Sequence, residues 1–167
     1  MTEAANAPIA VAPVPTDLKL GATEQELVAE EVRAFASLQP IGPTRQRYLD
    51  LSALVESGTV PANHLEQLGT ILEIGLQSGR IRRVYGADGE VAIGRIYQRT
   101  PRGAEATAAA AAVTRALQAI QGQVVDEVRV TALGPGAYSI LLDTRQCQIT
   151  VRLDRAGVRV DSLALGM

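Results

Sequence analysis

The residues that could carry chemistry in this chain are few and widely separated. His64 is the only histidine and Cys147 the only cysteine, so neither an imidazole nor a thiolate has a second group of its kind with which to build a metal site. His64 falls near the start of a helical pattern, which is typical of a solvated surface histidine. Cys147 shares the alternating face of Ile149 and Val151, which predicts a small core residue.

The closest carboxylates are the sequence neighbours Glu30-Glu31 and Asp126-Glu127. Adjacent side chains point in different directions on a helix or a strand, so both pairs are predicted to be solvated surface groups. The stretch at residues 86–89, Gly-Ala-Asp-Gly, lacks the spacing of a phosphate-binding loop and is interpreted as a hairpin turn. We therefore expect no enzyme, no cofactor and no bound metal.

The densest chemical feature is a cluster of arginines within residues 80–102. Its six members are Arg80, Arg82, Arg83, Arg95, Arg99 and Arg102. Against Asp88 and Glu90 they give this segment a net charge of +4, whereas the whole chain carries −2. Such a cluster can bind an acidic protein surface or a nucleic acid, and the alternative is a solubilising role in ion pairs with neighbours such as Glu105.

Composition limits the class of protein. A chain of 167 residues with 47 % hydrophobic residues is long enough for one or two domains with a real core. Its overall charge is not that of a dedicated nucleic-acid binder. Neither a signal peptide nor a run long enough to span a bilayer is evident, which predicts a cytoplasmic protein without membrane contact. Residues 1–20 are rich in Ala and Pro and are predicted to be a disordered tail that could dock on a partner.

Helical spacing predicts three helices before the arginine cluster, over residues 23–38, 44–57 and 62–78. Thr23 and Glu26 have the spacing of a capping box at the start of the first helix. The expected buried stripe of that helix consists of Leu27, Ala34, Phe35 and Leu38.

The arginine cluster itself is predicted to be a β-hairpin, with strands at residues 81–85 and 91–97. An alanine-rich fourth helix follows over residues 104–121. Beyond it, short alternating runs separated by turn residues predict a four-stranded antiparallel meander with one apolar face. We expect an α+β protein in which the fourth helix covers that face.

Residues 49–103 resemble the helix–helix–wing part of a winged helix-turn-helix domain, as found in bacterial regulators. The resemblance rests on the helix at residues 62–78, the hairpin that follows it and the Thr100-Pro101 entry into the next helix. It implies that the helix before the wing enters the major groove of DNA. The side chains placed to contact a partner there are those of Asn63, His64 and Gln67.

That helix also carries Glu66 and Glu73 and has no Lys or Arg on its exposed face. Carboxylates repel phosphates, so the helix favours the protein-binding use of the winged-helix module over DNA binding. The sequence thus predicts a tail at residues 1–20, a winged-helix-like domain at 21–103 and a helix-plus-meander domain at 104–167.

The predicted function is that of a non-enzymatic protein–protein interaction subunit, an adaptor or assembly component, that uses the basic hairpin, a sheet edge and the N-terminal tail. The alternative is a DNA-binding transcriptional regulator. The expected partner is a protein with an acidic surface, DNA is the alternative partner, and a homodimer stays open.

Overall fold

The computed structural model describes residues 16–165. They form an α+β protein in which helices precede a four-stranded antiparallel sheet, and this confirms the predicted fold class. Contacts divide the chain into two compact units, residues 1–65 and residues 66–167. None of the described helices combines the length and the apolar character needed to cross a bilayer.

The described part of the first unit is a pair of helices with a short two-stranded sheet. Its elements are β1 (Leu18–Lys19), α1 (Ala22–Ser37), α2 (Pro43–Glu56), β2 (Thr59–Val60) and a 3₁₀ turn (Ala62–His64). The two helices pack against each other, and Val32 and Leu51 are completely buried. Strand β1 pairs antiparallel with β2, and Leu18 and Leu20 are buried. Residues 18–20 therefore belong to the fold and not to the predicted tail, whose residues 1–15 lie outside the described part.

The start of α1 differs from the prediction. The helix begins at Ala22, so Glu24 and not Glu26 occupies the third helical position, and its Oε2 accepts a hydrogen bond from the Gly21 N–H at 2.9 Å. Gly21, in place of Thr23, is the capping residue.

The buried face of α1 is also rotated from the predicted stripe. Leu38 is 75 % exposed, and Leu27, Ala34 and Phe35 are only partly buried. The buried residues are Val28, Ala29, Glu31, Val32 and Ala36. Glu31 is 3 % exposed, so the prediction of a solvated Glu30-Glu31 pair is wrong for its second member, which lies three residues from Val28 on the same helix face.

The second unit begins with three successive helices. They are α3 (Leu65–Gln77), α4 (Arg80–Tyr97) and α5 (Pro101–Leu117), and a 3₁₀ turn (Gln118–Ile120) extends the last of them. The predicted third and fourth helices are thus confirmed. Helix α3 buries Leu68, Ile71 and Leu72. The Thr100 hydroxyl caps α5 by accepting a hydrogen bond from the Gly103 N–H at 3.3 Å.

The predicted β-hairpin at residues 81–97 is wrong, because this segment is helix α4. The backbone breaks once, at Gly86, where φ is 71° and ψ is −172°. Ile81 is buried before the break, and Gly89, Ile93 and Ile96 are buried after it, where separations of four and three residues follow a helical period. The Gly-Ala-Asp-Gly stretch therefore breaks the helix instead of reversing the chain.

The predicted meander is confirmed as a sheet of four strands in the order β3-β4-β5-β6. These are β3 (Val125–Gly134), β4 (Ala137–Thr144), β5 (Cys147–Asp154) and β6 (Gly157–Leu165). Irregular register marks both ends of β3, near Asp126 and Leu133, and the pairing of β6 near Asp161. These irregularities leave a regular central stretch in β3 at residues 127–132.

Candidate interaction surface

Arg102, the last of the six clustered arginines, is bound within the second unit. Its Nε donates to Glu73 at 2.7 Å and its Nη1 to Glu66 at 3.1 Å. These two hydrogen bonds raise the pKa of Arg102 above its ordinary value. The pairing joins the first turn of α5 to α3. The glutamates expected to repel DNA thus have a cationic partner inside the same unit.

The other five arginines lie on or after α4. Arg82 pairs with Glu90 at 3.4 Å, while Arg83, Arg95 and Arg99 are exposed. Arg80 is half-buried at the first position of the helix. Because α4 places its first and last turns on opposite sides of the Gly86 break, the structure does not bring the arginines together on two paired strands as predicted.

The other residues predicted to contact a partner, Asn63, His64 and Gln67, do not lie on one helix. Asn63 is exposed and His64 half-buried in the 3₁₀ turn, whereas Gln67 is half-buried in α3. Cys147 is 3 % exposed, which confirms the predicted core cysteine. Its backbone N–H donates to the Thr144 hydroxyl at 2.9 Å.

A cleft of about 640 Å³ that is lined by both polar and apolar residues lies in the second unit, between α3, the end of α4, α5 and the β5–β6 turn. Glu73, Tyr97 and Arg102 line one side and Arg155 the other. Burial raises the pKa of Tyr97, and the nearby Glu73 carboxylate adds to that effect. The described residues hold no cluster of metal-ligating side chains. Every buried side-chain nitrogen and oxygen among them has a hydrogen-bond partner.

One half of the apolar sheet face is covered. Helix α5 packs on β6 and β5, and Val113 of α5 forms a buried cluster with Cys147, Ile149 and Val151. Five partly buried apolar side chains surround the cluster: Leu117, Ile120, Leu153, Val158 and Val160. This half is the hydrophobic core of the sheet domain.

The other half of the same face is bare among the described residues. Register places Val128 and Val130 of β3, with Tyr138 of β4, on the face that carries Ile149 and Val151. Their exposed fractions are 60 %, 64 % and 48 %. We call these residues, together with the half-buried Ile140 and Leu142 of β4, the bare face. Isolated exposed apolar residues are ordinary on a protein surface, whereas these lie together on one face of two adjacent strands.

The bare face ends at an open strand edge. β3 is the first strand of the sheet, it pairs only with β4 among the described strands, and all ten of its residues are exposed. Its regular stretch contains neither Pro nor Lys, two residues by which proteins commonly block edge pairing. Arg129 Nε and Nη2 donate to Glu127 Oε1 at 3.0 and 2.6 Å on the opposite, polar face.

The sequence contains a signal for the bare face, namely the number of alternating strands relative to the number of helices that could cover them. Strands lie about 4.8 Å apart, and a helix with its side chains is about 10 Å across, so a single helix covers roughly two strands. Four alternating strands and one covering helix therefore imply that part of the apolar sheet face is left uncovered. The exposed residues on that uncovered part are Val128, Val130 and Tyr138.

Comparison with known proteins gives no further identification of this site. No protein-family model matches the chain, and neither the curated proteins nor the solved structures include a significant match.

Proposed function

We propose that this chain is a non-enzymatic protein–protein interaction subunit that receives its partner on the bare face. The observation that supports this proposal is the contrast within one sheet face, where Val151 is 5 % exposed and Val130, two strands away in the same cross-strand row, is 64 % exposed. Covering the exposed parts of Val128 and Val130 would favour an association, by less than the roughly 1.5–3 kcal/mol that full burial of an exposed valine contributes, because both are already partly covered. The partner's complementary surface is apolar at its centre.

The alternative function, a DNA-binding transcriptional regulator, has less support. Its basis was a basic hairpin after the third helix, and that segment is helix α4. Arg102 is paired with Glu66 and Glu73, and Arg82 with Glu90. The observation that favours this alternative is the exposure of Arg83 and Arg95.

Site-specific photo-crosslinking in the cells that make the protein tests the proposal. A photoreactive residue is placed at Val130, on the bare face, and in a matched variant at Thr131, which follows it on the opposite face of the same strand. We expect adducts with a protein of a different sequence at Val130 and none above background at Thr131, identified by mass spectrometry.

Two outcomes would contradict the proposal. One is the absence of any heterologous adduct at Val130. The other is an equal yield at both positions, because contacts that do not distinguish the apolar from the polar face are nonspecific collisions.

A further inference from the structure

We propose that the open edge of β3 pairs with the β3 edge of a second copy of this chain, antiparallel and across a two-fold axis at Val128. The inference rests on the proposed function for the accessibility of this surface, and it names the partner of the edge, while the bare face stays available to another protein. The pairing would join two four-stranded sheets into one of eight strands.

Side-chain alternation restricts the register of such a pair. Directly opposed residues of antiparallel strands lie on the same face, so only registers that oppose residues of the same parity keep the valines of both copies on one face. An axis at Val128 meets this condition, and so do axes at Glu127, Arg129 and Val130.

Charge complementarity selects among these registers. With the axis at Val128, Glu127 of each copy lies opposite Arg129 of the other, which gives two opposite-charge pairs. An axis at Glu127 or Arg129 opposes two like charges, which is destabilising. An axis at Val130 opposes Arg129 to Thr131 and offers no charge pair. Together with the intrastrand hydrogen bonds of Arg129 to Glu127, the Val128 register forms an alternating quartet of charges.

The second copy fits this edge for two further reasons. Every one of the ten β3 residues is exposed, so the same strand is accessible on both copies. The register also makes the two bare faces continuous, with Val128 against Val128 at the axis. A partner of one charge sign would satisfy either Glu127 or Arg129 but not both, whereas a second copy satisfies both at once.

Charge-swap complementation with the full chain tests this pairing. Arg129→Glu opposes glutamate to glutamate in both cross-strand pairs, and Glu127→Arg opposes arginine to arginine, so each variant alone should dimerise more weakly than the unmodified chain of 17.6 kDa. An equimolar mixture of the two restores both opposite-charge pairs and should form a heterodimer. The double variant Glu127→Arg/Arg129→Glu should dimerise like the unmodified chain.

Sedimentation equilibrium measures the mass from about 1 to about 300 µM, which spans the affinities expected of a small interface. Each single variant should weaken dimerisation at least about tenfold, the effect of replacing attraction by repulsion in two exposed pairs. The matched control is Arg159→Glu in β6, the edge strand at the other side of the sheet. It removes an ion pair with Asp154 of β5 and should dimerise like the unmodified chain. Circular dichroism confirms that every variant is folded.

Three results would overturn the pairing: a monomeric unmodified chain throughout this range, an Arg129→Glu variant that dimerises as tightly as the unmodified chain, or a mixture of the single variants that dimerises no more tightly than either variant alone. The first includes the case in which residues 1–15 or another protein occupies the edge. These results are independent of the crosslinking at Val130, which reports a partner of different sequence, so either proposal can fail alone.

Discussion

The covered and bare halves of the sheet have similar side-chain chemistry but opposite environments. A single cross-strand row contains Val130, Ile140, Val151 and Val160. Val151 beneath α5 is 5 % exposed, and Val130 at the far end is 64 % exposed. Alternation of apolar residues therefore identifies a face that must be covered, but the width of the covering element decides how much of it is covered within one chain.

The largest expected effect of a substitution comes from placing a charge in each half of this row. Val151→Asp buries a carboxylate without a partner and should cost at least about 4 kcal/mol, enough to unfold a marginally stable domain. Val130→Asp leaves the carboxylate in water and should cost less than about 1 kcal/mol. Urea unfolding followed by circular dichroism compares the two. Similar losses of stability would mean that β3 is as well covered as β5.

The next largest effect concerns the position of α5, the helix that covers β5 and β6 and leaves β3 bare. A Cβ at Gly103 would overlap the carbonyl group of Tyr97, so Gly103→Ala should displace the start of α5 and cost about 2–3 kcal/mol. Gly94 in α4 has no atom within 4 Å of a Cβ built at that position. The control Gly94→Ala should be neutral or stabilise by up to about 1 kcal/mol. Thermal unfolding of both variants provides the measurement, and a Gly103→Ala protein as stable as Gly94→Ala would contradict the close approach.

The smallest effect is a pH dependence of stability that arises from Asp154, at the end of β5. Hydrogen bonds from Arg159 and from the Ala156 backbone N–H lower the pKa of Asp154 below its ordinary value. Because the folded pKa is depressed, its contribution is present above the unfolded pKa of about 3.9 and is lost as the pH falls through the folded value.

The urea midpoint of the unmodified protein should therefore decrease more steeply below about pH 4 than that of Asp154→Asn. Parallel curves for the two proteins would show that the ion pairs of Asp154 with Arg152 and Arg159 do not contribute to folding in this range.

Much of the architecture could be predicted from residue patterns because it depends on local signals. The turns Gly134-Pro135-Gly136 and Arg155-Ala156-Gly157 interrupt strict alternation, so the meander and its faces follow directly. Helix α3 is likewise marked by its apolar spacing and by Gly79, whose φ of 67° ends it. In both cases the periodicity and the chain-reversing residues indicate the same structure.

The segment at residues 80–97 could not be assigned in the same way because its signals conflict. Val, Ile and Tyr favour strands, and two glycines around Ala87-Asp88 are typical of a hairpin turn. The helical separation of Gly89, Ile93 and Ile96, which follow the break at Gly86, was the decisive signal, since burying these three residues on one side requires a helix and not a strand. The environment of the arginine cluster could be predicted only in part. The pairing of Arg102 with Glu66 and Glu73 joins residues that are 36 and 29 positions apart, and no local pattern indicates such a contact.

The irregular register in β6 near Asp161 has a consequence for aggregation. A sheet with two open edges can add copies without limit and form a fibre, as chains of edge-to-edge contacts do. The irregularity of β6 lies in the middle of the strand, near Asp161, whereas those of β3 lie at its two ends, so β6 is the poorer template for further strands. A dimer formed through β3 about a two-fold axis uses the β3 edge of both copies. The β6 strands are then the two outer edges of the joined sheet, and they resist the addition of further strands. The same chain that exposes a ten-residue strand would in this way remain a finite assembly.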